Sequence, residues 1–380
     1  MRVLLLANAA SPLVLNLARE LRRCRPGIVI DILSDSPPPC DHGHGAYDSV
    51  FVPEGGGLFR RLRGFKFVWY VLRYRSLLKR MGPGYDVVHI LYLSAVWGCM
   101  AKPLRSLGRR MVLTLFGSDV YRTHWPLSIF QRRLLLSGDL FTASNPHTLA
   151  SARARFRLRL EPCVDDLLFG LRSLDHLAVL DHGDRTGQLE GLGIPPGRTI
   201  VTCGYNGSVN QDHLAVLDAL GRCPAEVRAQ FHVVLPMMIG GADAYRRGVK
   251  ERAISLGLDH TVLEHRLTDE QVAMLRSVTD VFIQVQRTDQ LSASMLEHLY
   301  AGSVVITGGW LPYGQLTQRG IRFWTTPSIE QLTSELIACL DQLPERRAAV
   351  EANRDLVRRL ASWSVTAPRW SALYDGPVGR

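Results

Sequence analysis

The chain has 380 residues, enough for two domains, or three, that each bury a core, so neither a disulfide framework nor a structural metal is needed to hold it together. Its seven cysteines (Cys24, Cys40, Cys99, Cys163, Cys203, Cys223 and Cys339) are odd in number, scattered and free of any Cys-x-x-Cys pair, which excludes a disulfide scaffold and a zinc ribbon and fits a reducing compartment. A formal charge of +10 asks for an anionic partner: nucleic acid, acidic lipid or a phosphorylated substrate.

In chain order, the opening residues imitate a signal peptide. Their apolar run of about five residues is shorter than the usual h-region of roughly 7–15, and it reads as a first buried strand. Apolar runs at 3–7, 28–33, 87–91, 111–116 and 140–143 predict strands separated by helical pattern, the signature of a doubly wound parallel sheet. Ser11 with Pro12 behind it predicts the first helix start. The turn after the first strand lacks a glycine pair, leaving Asn8 and Ser11 as its only candidates for ligand contact.

Residues 55–85 contain no Asp or Glu, while Arg60, Arg61, Arg63, Lys66, Arg73, Arg75, Lys79 and Arg80 alternate with aromatics such as Trp69 and with leucines. This pattern predicts an interfacial helix on an anionic membrane surface. Two other readings stay open at this stage, an amphipathic core helix with a solvated basic face and a nucleic-acid contact. No run approaches the ~20 apolar residues that span a bilayer. His42 and His44 lie in a short polar segment too isolated to predict a metal site.

Alternation breaks between 164 and 198, ending in Gly193-Ile-Pro195-Pro196-Gly197, and then restarts. Strands are expected at 199–203, 231–235, 262, 281–285 and 304–306, with helices at 212–220, 242–256, 269–277 and 291–300. A mostly helical tail follows from 329 to 374. The domains expected are 1–170, 171–345 and a C-terminal helical segment 346–380 that packs back on the first domain.

Ligands in open parallel sheets sit at the carboxyl ends of strands, so the turns there carry the chemistry. After the strand at 199–203 comes Gly204-x-x-Gly207-x-x-Asn210-x-x-His213, entering a helix; glycines admit a phosphate to the backbone, and the helix presents its unpaired amides. By spacing alone the segment is equally a tight strand-to-helix turn. Together with Val233-Val-Leu-Pro236-Met237 and Tyr245, it resembles the bacterial 4-acetamido-4,6-dideoxygalactosyltransferases that elongate a polyprenyl-linked intermediate of enterobacterial common antigen. Leu115-Phe-Gly117-Ser-Asp119-Val-Tyr121 is similar to that family's G-x-D-x-Y segment. Asp289 and Glu297, with seven residues between them, resemble the E-x7-E motif of the retaining GT-B glycosyltransferases, with Asp replacing the first Glu. The stretch from Val262 through Glu264 and Arg266 to Gln271 is similar to the segment with which that family holds the nucleotide base.

The resemblance implies an α/β protein of GT-B architecture, two Rossmann-like doubly wound domains facing a cleft. It implies that Glu297 accepts hydrogen bonds from ribose hydroxyls, that Asp289 faces the donor sugar, and that Gly204, Asn206, Gly207, Glu264 and Ser292 complete the donor site. The departing diphosphate needs positive charge. The retaining family's Arg and Lys pair does not appear in 204–213, so Arg266 and Arg287 are the substitutes, each equally readable as a solvated arginine. Asp119 is the candidate general base for an inverting reaction, or an acceptor-orienting residue for a retaining one. Tyr121, Arg122 and His124 are candidates for holding the acceptor diphosphate.

The expectation is therefore a metal-independent glycosyltransferase with no cofactor beyond its nucleotide-sugar substrate. It would act on a polyprenyl-diphosphate-linked acceptor in surface-polysaccharide or O-antigen synthesis, peripheral at the inner face of the cytoplasmic membrane, with no nucleic-acid partner. A nucleotide-sugar 2-epimerase and a non-catalytic scaffold of the same architecture are the alternatives.

Overall fold

A computed structural model describes residues 1–38, 45–53, 65–123, 125–181 and 183–376. They form two compact units, one of residues 1–170 together with the segment from Trp363 onward, the other Leu171–Ser362.

The first unit is a seven-stranded sheet of β1 (Arg2–Leu6), β2 (Val29–Leu33), β3 (Ser49–Phe51), β4 (Tyr85–Leu91), β5 (Gly108–Leu115), β6 (Leu140–Ala143) and β7 (Cys163–Val164). The strands are all parallel in the order β3-β2-β1-β4-β5-β6-β7. Helices cover both faces, so strands such as Val3-Leu-Leu-Leu6 are buried on both sides and read as continuous apolar runs. One face is completed by the end of the chain. Trp370, in the helix Trp363–Ala372, donates its indole N–H to Leu168 O at 2.8 Å and packs on Phe169 with ring centroids 4.6 Å apart. Tyr374 meets His89 Nδ1 at 2.8 Å, and His89 Nε2 meets Thr114 Oγ1 at 2.7 Å. Burial in this apolar setting pushes the His89 pKa down to about 3.

The second unit has β8 (Thr199–Cys203), β9 (Phe231–Pro236), β10 (His260–Leu263), β11 (Val281–Gln284), β12 (Val304–Gly308) and β13 (Trp324–Thr326), parallel in the order β10-β9-β8-β11-β12-β13. Its helix Asp269–Val278 starts with a capping box: Thr268 Oγ1 accepts from Gln271 N, and the Gln271 side chain accepts from Thr268 N. Residues 346–362, grouped by sequence with the C-terminal segment, pack with this unit. Asn353 brackets the backbone of Arg322, accepting from its N at 2.9 Å and donating to its O at 2.7 Å.

The strands absent from the sequence reading, β3, β7 and β13, are two or three residues long. Their lengths are too short for any periodicity to register, and pairing with an existing neighbour is what makes them strands.

Candidate functional site

In each sheet the chain builds outward from its first strand and then crosses to the other side, so winding reverses between β1 and β4 and between β8 and β11. Loops at the carboxyl ends of such strand pairs are where open α/β sheets hold ligands.

At the second reversal the loop after β8 is built on glycine. Gly204 has φ +66°, and its N–H donates to Ile283 O of β11 at 3.0 Å. Gly207 and Gly241 let the loops after β8 and β9 press together: Gly207 N donates to Ile239 O at 2.7 Å, and a Cβ on Gly241 would stand 1.9 Å from Gly207 O. The loop after β8 is also tied to the loop after β11. Arg287 N donates to Asn210 O at 2.9 Å, Asn210 Nδ2 to Thr288 O at 2.9 Å, and Gln211 Nε2 to Gln286 Oε1 at 2.7 Å.

Within this framework several sequence candidates prove to be building members. The Asn206 carboxamide oxygen accepts from Ser208 N at 2.9 Å, closing a turn on its own loop. Ser292 is buried and caps the helix Ala293–Ala301 by accepting from Met295 N at 3.2 Å. Asp289, half-buried, accepts from Tyr313 Oη at 2.5 Å, and that hydroxyl accepts from Gln284 Nε2 at 2.6 Å. Burial and the adjacent Asp289 charge raise the Tyr313 pKa well above its ordinary value, so the hydroxyl keeps its proton and donates.

Glu297 is the larger surprise. Arg276 Nε donates to its Oε2 at 2.9 Å and Ser173 Oγ to its Oε1 at 2.7 Å, in a pair whose side chains are only 8% and 13% exposed. Arg276 also donates to His298 Nε2 at 3.2 Å. An arginine has no acceptor, so His298 carries its proton on Nδ1 and donates to Ser303 Oγ at 3.1 Å. Burial first, and the Arg276 charge second, hold the His298 pKa well below the ordinary value. The ribose contact expected of Glu297 thus meets a carboxylate already holding two hydrogen bonds, with only its remaining lone pairs to offer.

Of the proposed cations, Arg266 is exposed; Arg287 is 59% exposed on its side chain and donates to Asp212 Oδ1 at 2.7 Å. Glu264, just past β10, lines a groove of about 520 Å³ with Asp243, Arg246, Arg247, Lys250 and Glu251. Sequence reasoning listed neither Gln211 nor His213 among the site residues, although both lie in the quoted glycine segment. They are 4% and 1% exposed, and Gln211 Oε1, His213 Nε2 and Gln286 Nε2 have no hydrogen-bond partner. Buried polar atoms are nearly always paired, so these orphans make the β8–β11 reversal a candidate place for a polar ligand.

The first reversal differs. A cavity of about 260 Å³ lies at the ends of β1, β2 and β4, lined by Asn8, Asp35, Tyr70, Tyr74, Tyr92 and Trp97 among others. Tyr70 stacks on Tyr74 at 5.7 Å and 17°, and Tyr74 packs on Trp97 at 4.6 Å. Tyr92 stands at φ +97°, a conformation a bulky side chain adopts only under constraint, with its N–H held by Thr114 O at 3.1 Å. Of this lining the sequence reading named Asn8 as a ligand contact; Tyr70 and Tyr74 lie one turn apart on the helix Phe65–Met81, and no spacing links them to Tyr92 after β4 or to Trp97 in the helix Ala95–Cys99. Ser11 is the extended residue before the first helix and makes no side-chain cap.

Asp119 is engaged by the backbone. It is fully buried, and its carboxylate accepts from Leu93 N at 2.7 Å and from Phe116 N at 3.0 and 3.2 Å. Desolvation raises its pKa to about 6 against those backbone hydrogen bonds. This carboxylate ties together the turns after β4 and β5, so the base or acceptor-orienting role expected of it would have to be played from beneath those amides. Tyr121 Oη pairs with Thr148 Oγ1 at 2.8 Å, Arg122 is exposed, and His124 lies outside the described residues. So do Arg60, Arg61, Arg63, His42 and His44, while Lys66 falls in the helix Phe65–Met81. That helix turns Tyr74 and Leu78 to the core and exposes Val68, Leu72, Arg73, Arg75, Lys79 and Arg80, with Trp69 half-buried.

With this geometry in place, comparison gives a consistent result. Residues 10–164 match the Glycosyltransferase Family 4 profile. The remainder of the chain falls outside that match, and among curated proteins none matches in sequence. The fold as a whole is that of the GT-B glycosyltransferases. A glycosyltransferase from Rickettsia africae superposes with a TM-score of 0.76 at 14% identity, over 98% of this chain and 97% of that one. Sucrose-phosphate synthase from Thermosynechococcus elongatus gives 0.77 at 15% identity, over 99% and 98%. Anabaena HepE in complex with UDP and glucose gives 0.74 at 14%, over 99% and 100%. Among the described residues, no helix is long and apolar enough to cross a membrane.

Proposed function

We propose that the protein is a metal-independent glycosyltransferase that moves a sugar from a nucleotide-sugar donor, bound by the second unit, to a polyprenyl-diphosphate-linked glycan in surface-polysaccharide synthesis. The observation that carries the donor half is the glycine-built loop pair at the β8–β11 reversal, where orphaned buried polar atoms collect beside Asp289 and Arg287. HepE, of the same fold, is solved with UDP-glucose, which supports a uridine nucleotide as the first donor to try. Arg287, in the loop after β11 and already paired to Asp212, would have to exchange that partner for the leaving diphosphate.

The acceptor half rests on the first unit. Aromatic faces in the cavity at the β1–β4 reversal suit a sugar ring or an isoprenoid segment, and the exposed Val68 and Leu72 among Arg73, Arg75, Lys79 and Arg80 suit an anionic membrane surface. Association is therefore proposed at the inner face of the cytoplasmic membrane, with lipid rather than nucleic acid as the anionic partner. The engagement of Asp119 and Glu297 by the chain's own groups favours a second reading, a non-catalytic scaffold of the same fold.

The deciding experiment incubates UDP-, GDP- and dTDP-sugars with a polyprenyl-diphosphate-linked saccharide, with and without EDTA, and determines the product's anomer by NMR. Transfer that survives EDTA supports the reading. Nucleotide binding without transfer favours the scaffold, and free interconversion of sugar epimers would point to an epimerase. Replacing Arg73, Arg75, Lys79 and Arg80 with Gln should reduce binding to phosphatidylglycerol vesicles by roughly 1 kcal/mol per charge at low salt. Unchanged vesicle binding would reject the membrane role.

A further inference from the structure

The amide orientations around the loop after β8 can be deduced link by link. Thr288 O is a backbone carbonyl and only accepts, so the Asn210 atom 2.9 Å from it is the amide nitrogen, leaving Asn210 Oδ1 to accept from Thr288 Oγ1 at 3.1 Å. That same nitrogen lies 3.4 Å from Gln286, whose facing atom is then Oε1. Gln286 Oε1 in turn requires a donor from Gln211, 2.7 Å away, so Gln211 Nε2 is spent there and its Oε1 is turned inward. A Cβ on Gly204 would stand 2.8 Å from that Oε1 and 3.0 Å from His213 Nε2. Both unpartnered atoms therefore converge on the bare Cα of Gly204, closer than a side chain at 204 would allow.

His213 supplies the complementary partner. Its Nδ1 lies 3.3 Å from Tyr245 Oη, whose pKa burial raises, so the phenol keeps its proton and can donate it to Nδ1. With Tyr245 as the donor to Nδ1, the imidazole hydrogen is on Nε2, beside Gly204. Burial holds the His213 pKa down to about 4, so the ring is neutral at physiological pH. The pair thus presents one neutral donor and one neutral acceptor side by side. A phosphate oxygen, which only accepts, would face the Gln211 oxygen lone pair to lone pair; a hydroxyl satisfies both, accepting from His213 and donating to Gln211.

We propose that His213 and Gln211 form a hydroxyl-reading pair at the carboxyl end of β8 that selects one hydroxyl of the donor's sugar. The inference rests on the nucleotide-sugar reading of this site. The sugar is favoured over the ribose because Gln211 is bonded to Gln286 of the loop that carries Asp289, the carboxylate expected to face the sugar. Tyr245 is a positioning residue that sets the imidazole tautomer.

Calorimetric titration with UDP, GDP and dTDP, and with UDP-glucose, GDP-mannose and dTDP-glucose, tests this. His213→Leu should weaken the best-bound nucleotide-sugar about tenfold or more and leave its bare diphosphate within about twofold. His213→Gln, whose amide reaches the Nε2 position, should recover part of the loss, and Tyr245→Phe should fall between. Equal weakening of the bare diphosphate would put the pair on phosphate or ribose and overturn the inference. No change in either would show that the pair holds only a water molecule, which also overturns it. A parent protein that binds none of the six refutes the donor reading itself and the inference with it. Should His213→Leu fail to fold in a thermal melt, His213→Gln and Tyr245→Phe carry the same comparison.

Discussion

The two winding reversals occupy the same topological position in their sheets and are furnished oppositely. At β1–β4 the cavity is walled by Tyr70, Tyr74, Tyr92 and Trp97, and the nearby loop carboxylate, Asp119, is sealed under backbone amides. At β8–β11 the walls are amides, an imidazole and closely approaching glycines, with polar atoms left over. One winding rule thus sets both positions while the loops alone decide how they are furnished, with aromatic faces at one and neutral hydrogen-bonding groups at the other.

The comparison can be broken hardest at the buried ion pair of the second unit. Arg276→Leu leaves Glu297 with an uncompensated buried charge and should cost about 3–5 kcal/mol in urea denaturation. A loss below about 1 kcal/mol would show that Glu297 turns out to solvent. In the first unit, Asp119→Ala strands the amides of Leu93 and Phe116 and should cost about 2–4 kcal/mol. If Asp119→Ala instead abolished transfer while leaving stability intact, the carboxylate would be chemical rather than architectural.

Acidity separates the regions by sign. His213 has a folded pKa depressed to about 4 from 6.5, so its contribution to stability is present above pH 6.5 and is lost as pH falls toward 4. Asp119 has a folded pKa raised to about 6 from 3.8, so its contribution is full below 3.8 and is lost as pH rises through 6. Between pH 7 and 5, the parent should lose about 2 kcal/mol more than His213→Leu, read as a difference in urea midpoints. Equal losses would mean that His213 is protonated in the folded protein. The smallest effect is expected at Tyr92, where Tyr92→Gly relieves a positive φ and should raise stability by up to about 1 kcal/mol while lowering acceptor turnover. Unchanged turnover would remove Tyr92 from the acceptor site.

Much of the fold was legible in one dimension. Parallel strands covered on both faces become apolar runs such as Val3–Leu6 and Val304–Ile306, so element order followed from composition, whereas the cap read at Ser11 does not form and those at Thr268 and Ser292 came with the structure. The position of the glycine-built loop proposed for the donor was equally legible, because glycines at 204 and 207 follow on a strand. What escaped was the direction in which side chains point. Glu297 and Asp119 were chosen as ligand and base from motif spacing, yet Arg276 lies 21 residues from Glu297 and Leu93 lies 26 from Asp119, and these distant partners decide what the carboxylates can do.

The sequence by itself determined two doubly wound units and the segments at their carboxyl edges, because local periodicity and glycine placement are properties of neighbouring residues. Only the tertiary structure decided which groups within those segments remain available. Crossover brings 204–213 against 286–289, and a chain of amide hydrogen bonds from Thr288 to Gln211 orients the last oxygen toward Gly204. A hydrogen bond satisfied by a residue some 75 positions away leaves no local trace in the order of amino acids.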